Sequence, residues 1–499
     1  MVDIPSNPRD YGGGGRIVNN DEQPDTWATV ATFEMVPPST LGAGLPPDYY
    51  DMVQTLARGW LKKLRRNCLR ARYYDGKNKL KDFGISTPPQ LLNVETVVGW
   101  AQKAVDALAV RSRFDGFSAG YDETQILLDD IVERSRLPIK YRQAVQGELI
   151  HSCCFAAVKM TDDGHARIDV YDAEHATAIW DDAAGRVAYG LVIDKIDQSV
   201  TGYAVDMTLL TDQYAIHLWY DGLTWQWESE QHKMGVCPMV AFAYRPTLRR
   251  PFGVSRINRS VMSLIDSAVR VALGGDISFQ FAVSPQKYLL NADKNPFEEK
   301  TKWEAYIGSI FAVGNDENDR TPVFGQLAQA SMQQTTEYMR LLASRFAAET
   351  NIPLAQLGVA ADSNPSSAEA LYAASEPLII EAEDLNDGAR DSLKQVALMS
   401  IATELDISYF DIPDELKDFS VNMKNPAMPS IVSQADAMIK VASVVPTFAG
   451  TDTFFEQLGF TEDVRRRIRS ETEKATGTAI LNSIFGGGGN GANIAAIGD

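Results

Sequence analysis

Residues 351–385 read NIPLAQLGVAADSNPSSAEALYAASEPLIIEAEDL and separate two regions with helical periodicity. About fifteen residues in this stretch show no period, although a helical pattern precedes them and a longer one follows. The small residues Gly358, Ala360, Ala361 and Ser363 would keep the stretch thin. Pro353 and Pro365 fix the points at which the chain leaves each helix. Connections of this length without secondary structure are uncommon unless functional, so the stretch predicts a slender functional loop, with an ordinary helix–helix connector as the alternative.

The helix after this loop has a well-defined predicted start. Ser366 and Glu369 have the spacing of a capping box, so the helix is predicted to begin at about Ser366. Its pattern continues to about Glu404, which corresponds to a length of roughly 55–60 Å. Pro377 removes one backbone hydrogen bond inside this helix and predicts a kink there.

The composition is that of an ordinary globular protein with an acidic balance. The 499 residues suffice for roughly three or four cores, and 45% of them are hydrophobic and 23% charged. The formal net charge of −19 disfavours DNA binding by the whole surface, because free nucleic-acid-binding proteins usually carry a basic balance. None of the four cysteines belongs to a C-x-x-C pair, which favours a reducing compartment. No secretory signal or membrane span is recognisable, so we expect synthesis in a cytoplasm.

The N-terminal half changes from helical to strand-like periodicity. Residues 1–45 are rich in Gly, Pro and Asn and predict an extended arm. The helix that follows has an apolar stripe made of Met52, Val53, Leu56, Trp60, Leu64 and Cys68. Further helices are predicted near 93–112, 123–135 and 138–151. From about residue 155 the period becomes two, and about seven short runs predict an antiparallel meander, with Asp221–Gly222 as its strongest two-residue hairpin signal.

The C-terminal half alternates long helices with a small β-rich insert. Helices are predicted at 255–283 and 331–350, and the runs between them are strand-like. A final helical region covers 430–475, and a glycine-rich tail closes the chain. Long helices with one small-residue side and one polar side suit the side-by-side packing of identical copies in a ring.

The sequence shows no motif of an enzyme or a metal site. The glycine runs at 12–15 and 486–489 lack the Lys-Ser/Thr of a phosphate-binding loop. The five histidines form no H-E-x-x-H motif or Cys/His quartet. DKNPFEEKTKWE (293–304) has Phe297 and Glu298 where a calcium loop needs an oxygen ligand and a glycine. Because no nucleophile motif occurs either, we expect a non-enzymatic protein without a cofactor or bound metal.

Two basic stretches stand out against the acidic balance. RGWLKKLRRNCLRARYYDGKNK (58–79) alternates Arg and Lys with an apolar stripe, which is typical of a solvated helix face; contact with DNA or an acidic neighbouring subunit is the alternative. RPTLRRPFGVSRINR (245–259) carries five arginines just before a helix, where intersubunit salt bridges and DNA contact are equally open. The candidate residues of this second stretch are Arg249, Arg250, Arg256 and Arg259.

Several of these segments together resemble portal proteins of long-tailed double-stranded DNA bacteriophages, with the closest likeness to those of phages that infect actinobacteria. The resemblance rests on RRPFGVSRINRSVMSLIDSAVR (249–270), SPQKYLL (284–290) and NIPLAQLGVAADSNPSSAEALYAASEPLI (351–379), and it covers residues 45–475 in order. It implies an α+β portal fold, with a mainly helical wing and crown, a β-rich wing insert, a two-helix stem, a small α/β clip and a long kinked helix after a tunnel loop.

The same resemblance implies a division of the chain. The implied segments are an arm at 1–45, the wing at 46–254, stem helices at 255–283 and 331–350 around the clip at 284–330, the tunnel loop at 351–365, the long kinked wing helix at 366–404, a wing strand return at 405–429, the crown at 430–475 and a flexible tail at 476–499.

Portal proteins of this kind form a ring, usually of twelve subunits, at one capsid vertex, and the genome is packaged and ejected through it. The implied partners are further copies of the chain, the terminase large subunit, a head–tail adaptor and the major capsid protein, with a scaffold protein as a further candidate. Double-stranded DNA would pass without sequence specificity, and no membrane is involved. The expected location is the virion, after synthesis in the host bacterial cytoplasm. The alternatives are another head–tail structural or minor head protein and, less favoured, an intracellular hydrolase with an unrecognised site.

The resemblance also assigns residues to contacts. The tunnel-loop residues expected near DNA are Gln356, Gly358, Asp362, Ser363 and Asn364, and the helix cap after the loop is Ser366 with Glu369. The clip residues expected to dock the motor and the adaptor are Asp293, Lys294, Glu298, Lys302, Asp316, Glu317 and Arg320.

The segment 351–403 is acidic, with eight acids and two bases. The acids are Asp362, Glu369, Glu376, Glu381, Glu383, Asp384, Asp387 and Asp391, and the bases are Arg390 and Lys394. Repeated around a ring, an acidic lining drawn from this segment is expected to repel phosphate and to let DNA slide without sticking, and which of the eight acids face the channel is left open.

Overall fold

A computed structural model describes residues 45–78, 96–197, 203–220, 225–283, 287–290, 320–321, 323–326, 332–358, 368–427, 431–460, 464–472 and 474. The described residues combine helices and strands, as the α+β class predicts. The predicted N-terminal arm and glycine tail lie outside them. Within them, no helix combines the length and the apolarity needed to cross a bilayer.

The first helix, α1 (Pro47–Tyr74), packs on the larger of the two main sheets. The buried members of its predicted stripe are Val53, Leu56, Trp60, Leu64 and Cys68. Met52, which the stripe also included, is only partly buried. Two polar side chains on the same face are satisfied by backbone oxygens: Trp60 Nε1 donates to Glu174 at 2.7 Å, and Asn67 Nδ2 donates to Ala173 at 3.0 Å. The periodicity therefore predicted this helix and the face that it buries.

Three more helices and a strand complete the N-terminal region: α2 (Trp100–Ala109), β1 (Phe114–Ala119), α3 (Asp122–Ser135) and α4 (Leu137–His151). Helix α2 is shorter than predicted, because it begins at Trp100 after Gly99 rather than near residue 93. Arg136, with φ of 50°, ends α3 in the left-handed region and lets α4 start in a new direction.

Eight strands follow α4: β2 (Cys153–Met160), β3 (Ala166–Asp172), β4 (Ala176–Asp181), β5 (Arg186–Asp197), β6 (Tyr203–Leu210), β7 (Tyr214–Tyr220), β8 (Trp225–Gln231) and β9 (Met239–Ala243). The predicted single meander is wrong in topology. Only β4–β8 form a meander, a five-stranded sheet, whereas β9 returns to pair with β2 in a three-stranded sheet of order β3-β2-β9. The physical reason is burial: β2 is buried over its first six residues, so it needs neighbours on both edges.

The predicted hairpin in the meander is formed by β7 and β8, which pair antiparallel. Tyr220 pairs with Trp225, so four residues rather than two separate the strands. These residues, 221–224, lie outside the described part of the chain.

Two long helices pack against each other next in the chain: α5 (Arg259–Val283) and α6 (Met332–Thr350). Helix α5 begins after Asn258, whose Oδ1 accepts a hydrogen bond from the backbone N–H of Val261 at 2.9 Å. This cap explains why the helix starts at Arg259 and not at the predicted residue 255. Between the two helices, β10 (Lys287–Leu290) and β11 (Val323–Gln326) pair antiparallel, and the third predicted strand of the insert lies outside the described residues.

The longest helix, α7 (Ala368–Glu404), contains 37 residues and includes Pro377. Its buried residues Leu378, Ala382, Leu385, Ala389 and Leu393 pack into the largest core, to which α2, α4, α5 and α6 also contribute. After α7 come α8 (Asp414–Lys417) and β12 (Phe419–Met423), and β12 pairs antiparallel with β1. The predicted helical region at 430–475 is divided into α9 (Ile431–Val444), a 3-10 turn at Pro446–Gly450, α10 (Asp452–Gln457) and further helical residues at 464–472.

Candidate functional site

A buried polar cluster connects α2, α6 and α7 with the segment that leads into α5, at the root of the predicted loop. We call Arg256, Glu381, Tyr244 and Asn351 the Arg256 cluster. Arg256 is 5% exposed and forms an ion pair with Glu381, which is 6% exposed. The guanidinium also donates to the Tyr244 hydroxyl at 3.0 Å. The Tyr244 hydroxyl in turn donates to Glu381.

Two backbone oxygens accept the remaining hydrogen bonds of Arg256. Its Nε donates to the carbonyl of Ala104 in α2 at 2.6 Å, and its Nη2 donates to the carbonyl of Thr350, the last residue of α6, at 2.5 Å. A buried charge is stable only when it is paired and its remaining donors are bonded. Arg256 meets that condition with partners from its own chain, so it is not available for the contact with DNA or a neighbouring subunit predicted for it. Glu381, one of the acids in the segment expected to supply the channel lining, is likewise withdrawn from solvent.

The same cluster fixes the direction in which the chain leaves α6. Asn351 Nδ2 donates to the second carboxylate oxygen of Glu381 at 3.2 Å. Asn351 has φ of 55°, a left-handed conformation that Asn tolerates better than most residues. Burial, before any charge effect, raises the pKa of Tyr244 to about 12, so this hydroxyl keeps its proton as a donor. The direction in which the chain leaves α6 is therefore fixed by two hydrogen bonds. Arg256 bonds the carbonyl of Thr350, and the side chain of Asn351 bonds Glu381.

The chain beyond Asn351 is anchored before it leaves the described residues. Ile352, two residues before a 3-10 turn at Leu354–Leu357, and Leu357, the last residue of that turn, are both buried. Gln356 and Gly358, two of the predicted DNA-proximal residues, are exposed at this root. The other predicted loop residues, Asp362, Ser363, Asn364 and Ser366, lie outside the described residues, and Glu369 falls in the first turn of α7.

A cleft of about 1270 Å³ lies beside the Arg256 cluster, between α1 and the segment that leads into α5. We call it the basic cleft. Its cationic side chains are Lys63, Arg66, Arg70, Arg72, Arg245, Arg249, Arg250, Arg256, Arg259 and Arg270. Its acidic side chains are Asp266, Glu349 and Glu381. The two basic stretches that the sequence singled out separately, 58–79 and 245–259, therefore face each other across one concave surface.

The position of Arg70 shows how closely the two walls approach. Its Nη1 donates to the carbonyl of His151 at 2.7 Å, while its buried Nε has no hydrogen-bond partner. Burial, and then the nearby charges of Arg66 on α1 and Arg250 on the opposite wall, lower the pKa of Arg70 to about 10. Cationic side chains on both walls of the cleft therefore lower the pKa of the same residue, Arg70.

The wall that carries Arg249 and Arg250 is a tight turn held to the core. Thr247 and Arg250 exchange backbone hydrogen bonds of 3.1 and 2.8 Å, and the N–H of Val254 donates to the carbonyl of Tyr244 at 2.9 Å. Gly253 has φ of 66°, and a Cβ there would lie 2.2 Å from the Tyr244 oxygen. The glycine lets the chain return against Tyr244, which belongs to the Arg256 cluster.

The interior beside the cleft contains titratable groups that sequence reasoning missed. Burial raises the pKa of Glu148 to about 8 and that of Glu174 to about 7, and it lowers the pKa of His151 to about 4. His151 Nε2 lies 3.9 Å from Glu174 Oε1. No sequence signal marks these positions, because burial of a single carboxyl depends on packing between distant elements. Among the described residues, no group of three or more His, Cys, Asp or Glu side chains is placed to hold a metal ion.

One of the seven predicted clip contacts, Arg320, falls within the described part of the chain. Asp293, Lys294, Glu298, Lys302, Asp316 and Glu317 lie outside the described residues, and Arg320 is exposed.

The chain belongs to the phage portal protein family of the SPP1 Gp6-like type, whose family model matches residues 54–477. It is therefore a bacteriophage protein of the head-to-tail connector class, which is a structural and not an enzymatic kind of protein. The resemblance to portal proteins stated from the sequence is confirmed.

Two relatives of this chain are named portal proteins. The portal protein of Mycobacterium phage D29 is 22% identical over 432 residues, and that of Mycobacterium phage L5 is 24% identical over 445 residues. Each match covers 83% of this chain and 86% of the relative. Both relatives come from phages of actinobacteria, as the resemblance indicated.

Similar solved structures come from gene transfer agent particles. A chain from the neck of an empty particle, computed with C6 symmetry, has a TM-score of 0.41 and 10% identity, covering 79% of this chain and 94% of that chain. A chain from the virion of a native particle has a TM-score of 0.38 and 11% identity, covering 72% and 89%. Because both TM-scores are below 0.5, the family assignment rests on the sequence comparisons.

Proposed function

We propose that twelve copies of this chain form a ring at one capsid vertex and that the ring conducts double-stranded DNA during packaging and ejection. The observation that carries the proposal is the Arg256 cluster, which ties the root of the loop at 351–365 to α6, α7 and the segment that leads into α5. An ordinary surface connector needs no such anchor, whereas a loop that must hold its position around a moving duplex does.

In this proposal α5 and α6 are the two stem helices, and the paired strands β10 and β11 belong to the clip. The loop begins after Thr350, the last residue of α6, and leads into α7. Its small residues keep it thin, so that twelve copies fit around one duplex. Because Arg256 lies three residues before α5 and bonds both Thr350, the last residue of α6, and Glu381 of α7, a displacement of the stem would be transmitted to the loop root.

The charge of the chain suits a channel that DNA passes through and does not bind. With a net charge of −19, each copy adds to a negative potential that opposes the adhesion of phosphate. Glu381 takes no part in such a lining, because it is buried against Arg256. Gln356, Gly358, Asp362, Ser363 and Asn364 remain the residues that we propose near DNA.

The remaining partners follow from the same placement. The clip, with charged residues such as Asp293, Lys302 and Arg320, would dock the terminase large subunit during packaging and the head–tail adaptor afterwards. The wing would contact the major capsid protein, and a scaffold protein during assembly.

Electron microscopy of the purified full-length protein tests the ring. A channelled ring of many subunits supports the portal function, and a small globular particle would support an enzyme instead. Another head–tail component would give a ring without the long helical stem.

The loop itself is tested by a triple substitution of Asp362, Ser363 and Asn364 by Trp. Rings should form as in the wild type, but the amount of DNA packaged per particle should fall severalfold because the channel is narrowed. The matched control places Trp at the exposed positions Asp162 and Asp163 of the turn between β2 and β3, where packaging should be unchanged. Normal packaging by the loop variant would exclude the loop from the channel.

A further inference from the structure

The basic cleft contains positive charge that the described part of the chain does not neutralise. Lys63, Arg66, Arg249, Arg250 and Arg259 all line it and are exposed. None of these five forms an ion pair with another described residue. In a chain with a net charge of −19, such a concentration of uncompensated cations in one concavity marks a surface for an anionic partner.

The anionic surface that fits lies on the outer face of α7. Five exposed acids lie on one side of this helix: Glu376, Glu383, Asp384, Asp387 and Asp391. Their successive spacings of seven, one, three and four residues keep them on the same face. We call these five residues the acidic stripe. Asp387 bonds Arg390, and the others form no ion pair with a described residue.

The stripe and the cleft lie on different sides of α7 in one copy. Glu381 on α7 lines the cleft, and the core residues Leu378 and Ala382 flank it on the helix. At about 100° per residue, the centre of the stripe is rotated by roughly a third of a turn from Glu381 and by about half a turn from the core face. The stripe therefore points away from the cleft of its own chain and is left open to a partner.

We propose that the basic cleft of one subunit receives the acidic stripe of its neighbour. This proposal rests on the proposed ring and names the contact that builds it. Two different patches of the same chain make a head-to-tail contact, which is the kind of contact that closes into a ring. The acidic stripe is thereby assigned to the subunit interface and not to the channel lining.

Apolar groups beside both patches favour a protein partner over DNA. Leu248, at the tip of the turn that carries Arg249 and Arg250, is fully exposed. Phe252 lines the cleft, with Lys63 Nζ 5.6 Å from its ring centre. On the stripe, Ile380 lies between Glu376 and Glu383 and is 52% exposed. The phosphate groups of DNA cannot make apolar contacts with such side chains. A second copy of the chain can bury them in an apolar contact surrounded by charged residues.

A charge-reversal pair tests the contact in the full-length protein. The cleft variant is Lys63→Glu with Arg66→Glu, and the stripe variant is Glu383→Lys with Asp384→Lys. Each variant should weaken subunit association by roughly a hundredfold, because like charges face each other across the interface. The variant that combines all four substitutions restores opposite charges and should recover rings. Mass photometry at fixed protein and salt concentrations measures the fraction of chains in rings.

The control variant is Lys62→Glu with Arg65→Glu. These residues are exposed on the same helix, one position before Lys63 and Arg66, and they do not line the cleft. The charge change is identical, so this variant should assemble as the wild type does. Far-ultraviolet circular dichroism checks that all variants fold, and neutral Lys63→Gln with Arg66→Gln provides a milder form of the same test.

Each result decides the proposal. Recovery by the fourfold variant supports it. Normal rings from the cleft variant would overturn it, and a loss of DNA packaging in those rings would assign the cleft to DNA. Failure of the fourfold variant to recover, when both double variants fail, would show that the cleft and the stripe bind different partners. If the wild type forms no ring under any condition, the proposed function itself fails, and this outcome is distinct from the others.

Discussion

The Arg256 cluster predicts that a single neutralising substitution, Glu381→Gln, releases the root of the loop. Glutamine has the shape of glutamate and can still accept one hydrogen bond from Arg256 or Tyr244. It cannot balance the buried guanidinium, whose remaining contacts are neutral oxygens of Ala104, Tyr244 and Thr350. Arg245 lies 3.9 Å from Glu381 and is largely exposed, so it adds cationic charge to the site and not compensation.

The expected magnitude follows from the burial of both partners. Removing one member of a buried ion pair costs about 3–5 kcal/mol, since the other charge stays desolvated. Glutamine keeps one acceptor, so we expect the lower end, about 3 kcal/mol, concentrated where α6, α7 and the loop root meet. That loss corresponds to a roughly hundredfold increase in the local opening equilibrium.

Native-state hydrogen exchange measures this opening directly. The amides of residues 350–357 other than Pro353 should exchange roughly a hundredfold faster in Glu381→Gln than in the wild type, while those of β6 and β7 should not change. Glu133→Gln, exposed on α3 and outside both the basic cleft and the acidic stripe, is the matched control and should leave exchange unaltered. If residues 350–357 keep wild-type protection in Glu381→Gln, the cluster does not anchor the loop and the argument for its function is lost.

Local periodicity explains what the sequence could predict. The stripe of α1, from Val53 to Cys68, is a regular pattern within one helix, and burial against a sheet follows from it. The pairing of β7 with β8 was equally local. The topology of the main sheets was not, because the pairing of Cys153 with Ala243 joins residues that are distant in the sequence and depends on the burial of β2.

The candidate site was predictable in composition but not in geometry. The arginines of 245–259 look alike in sequence, yet Arg249 is exposed in a turn and Arg256 is buried. The difference comes from Glu381, 125 residues away, which no local pattern associates with Arg256. The one available signal is that Ser255 and Ile257, on either side of Arg256, are residues compatible with burial, and both are buried. Tertiary contact also decides that the two basic stretches share a cleft.

Two further predictions concern the structure around the cleft. Gly253→Ala should destabilise the protein by about 1–3 kcal/mol in urea unfolding, because φ is 66° and a Cβ would lie 2.2 Å from the Tyr244 oxygen. The control, Gly388→Ala in α7, has open space around it and should instead stabilise the protein by up to about 1 kcal/mol. Equal effects of the two substitutions would show that the turn at Gly253 does not require glycine. Glu148→Gln should stabilise the protein at pH 8 by about 2–4 kcal/mol but not near pH 4. Burial raises the pKa of Glu148 from 4.5 to about 8, so the folded state binds more protons than the unfolded state between these values. The wild type therefore loses stability as the pH rises through this window, and glutamine, which has no proton to lose, removes that part of the loss. Parallel stability–pH curves for the variant and the wild type would show that Glu148 is not buried as a neutral acid.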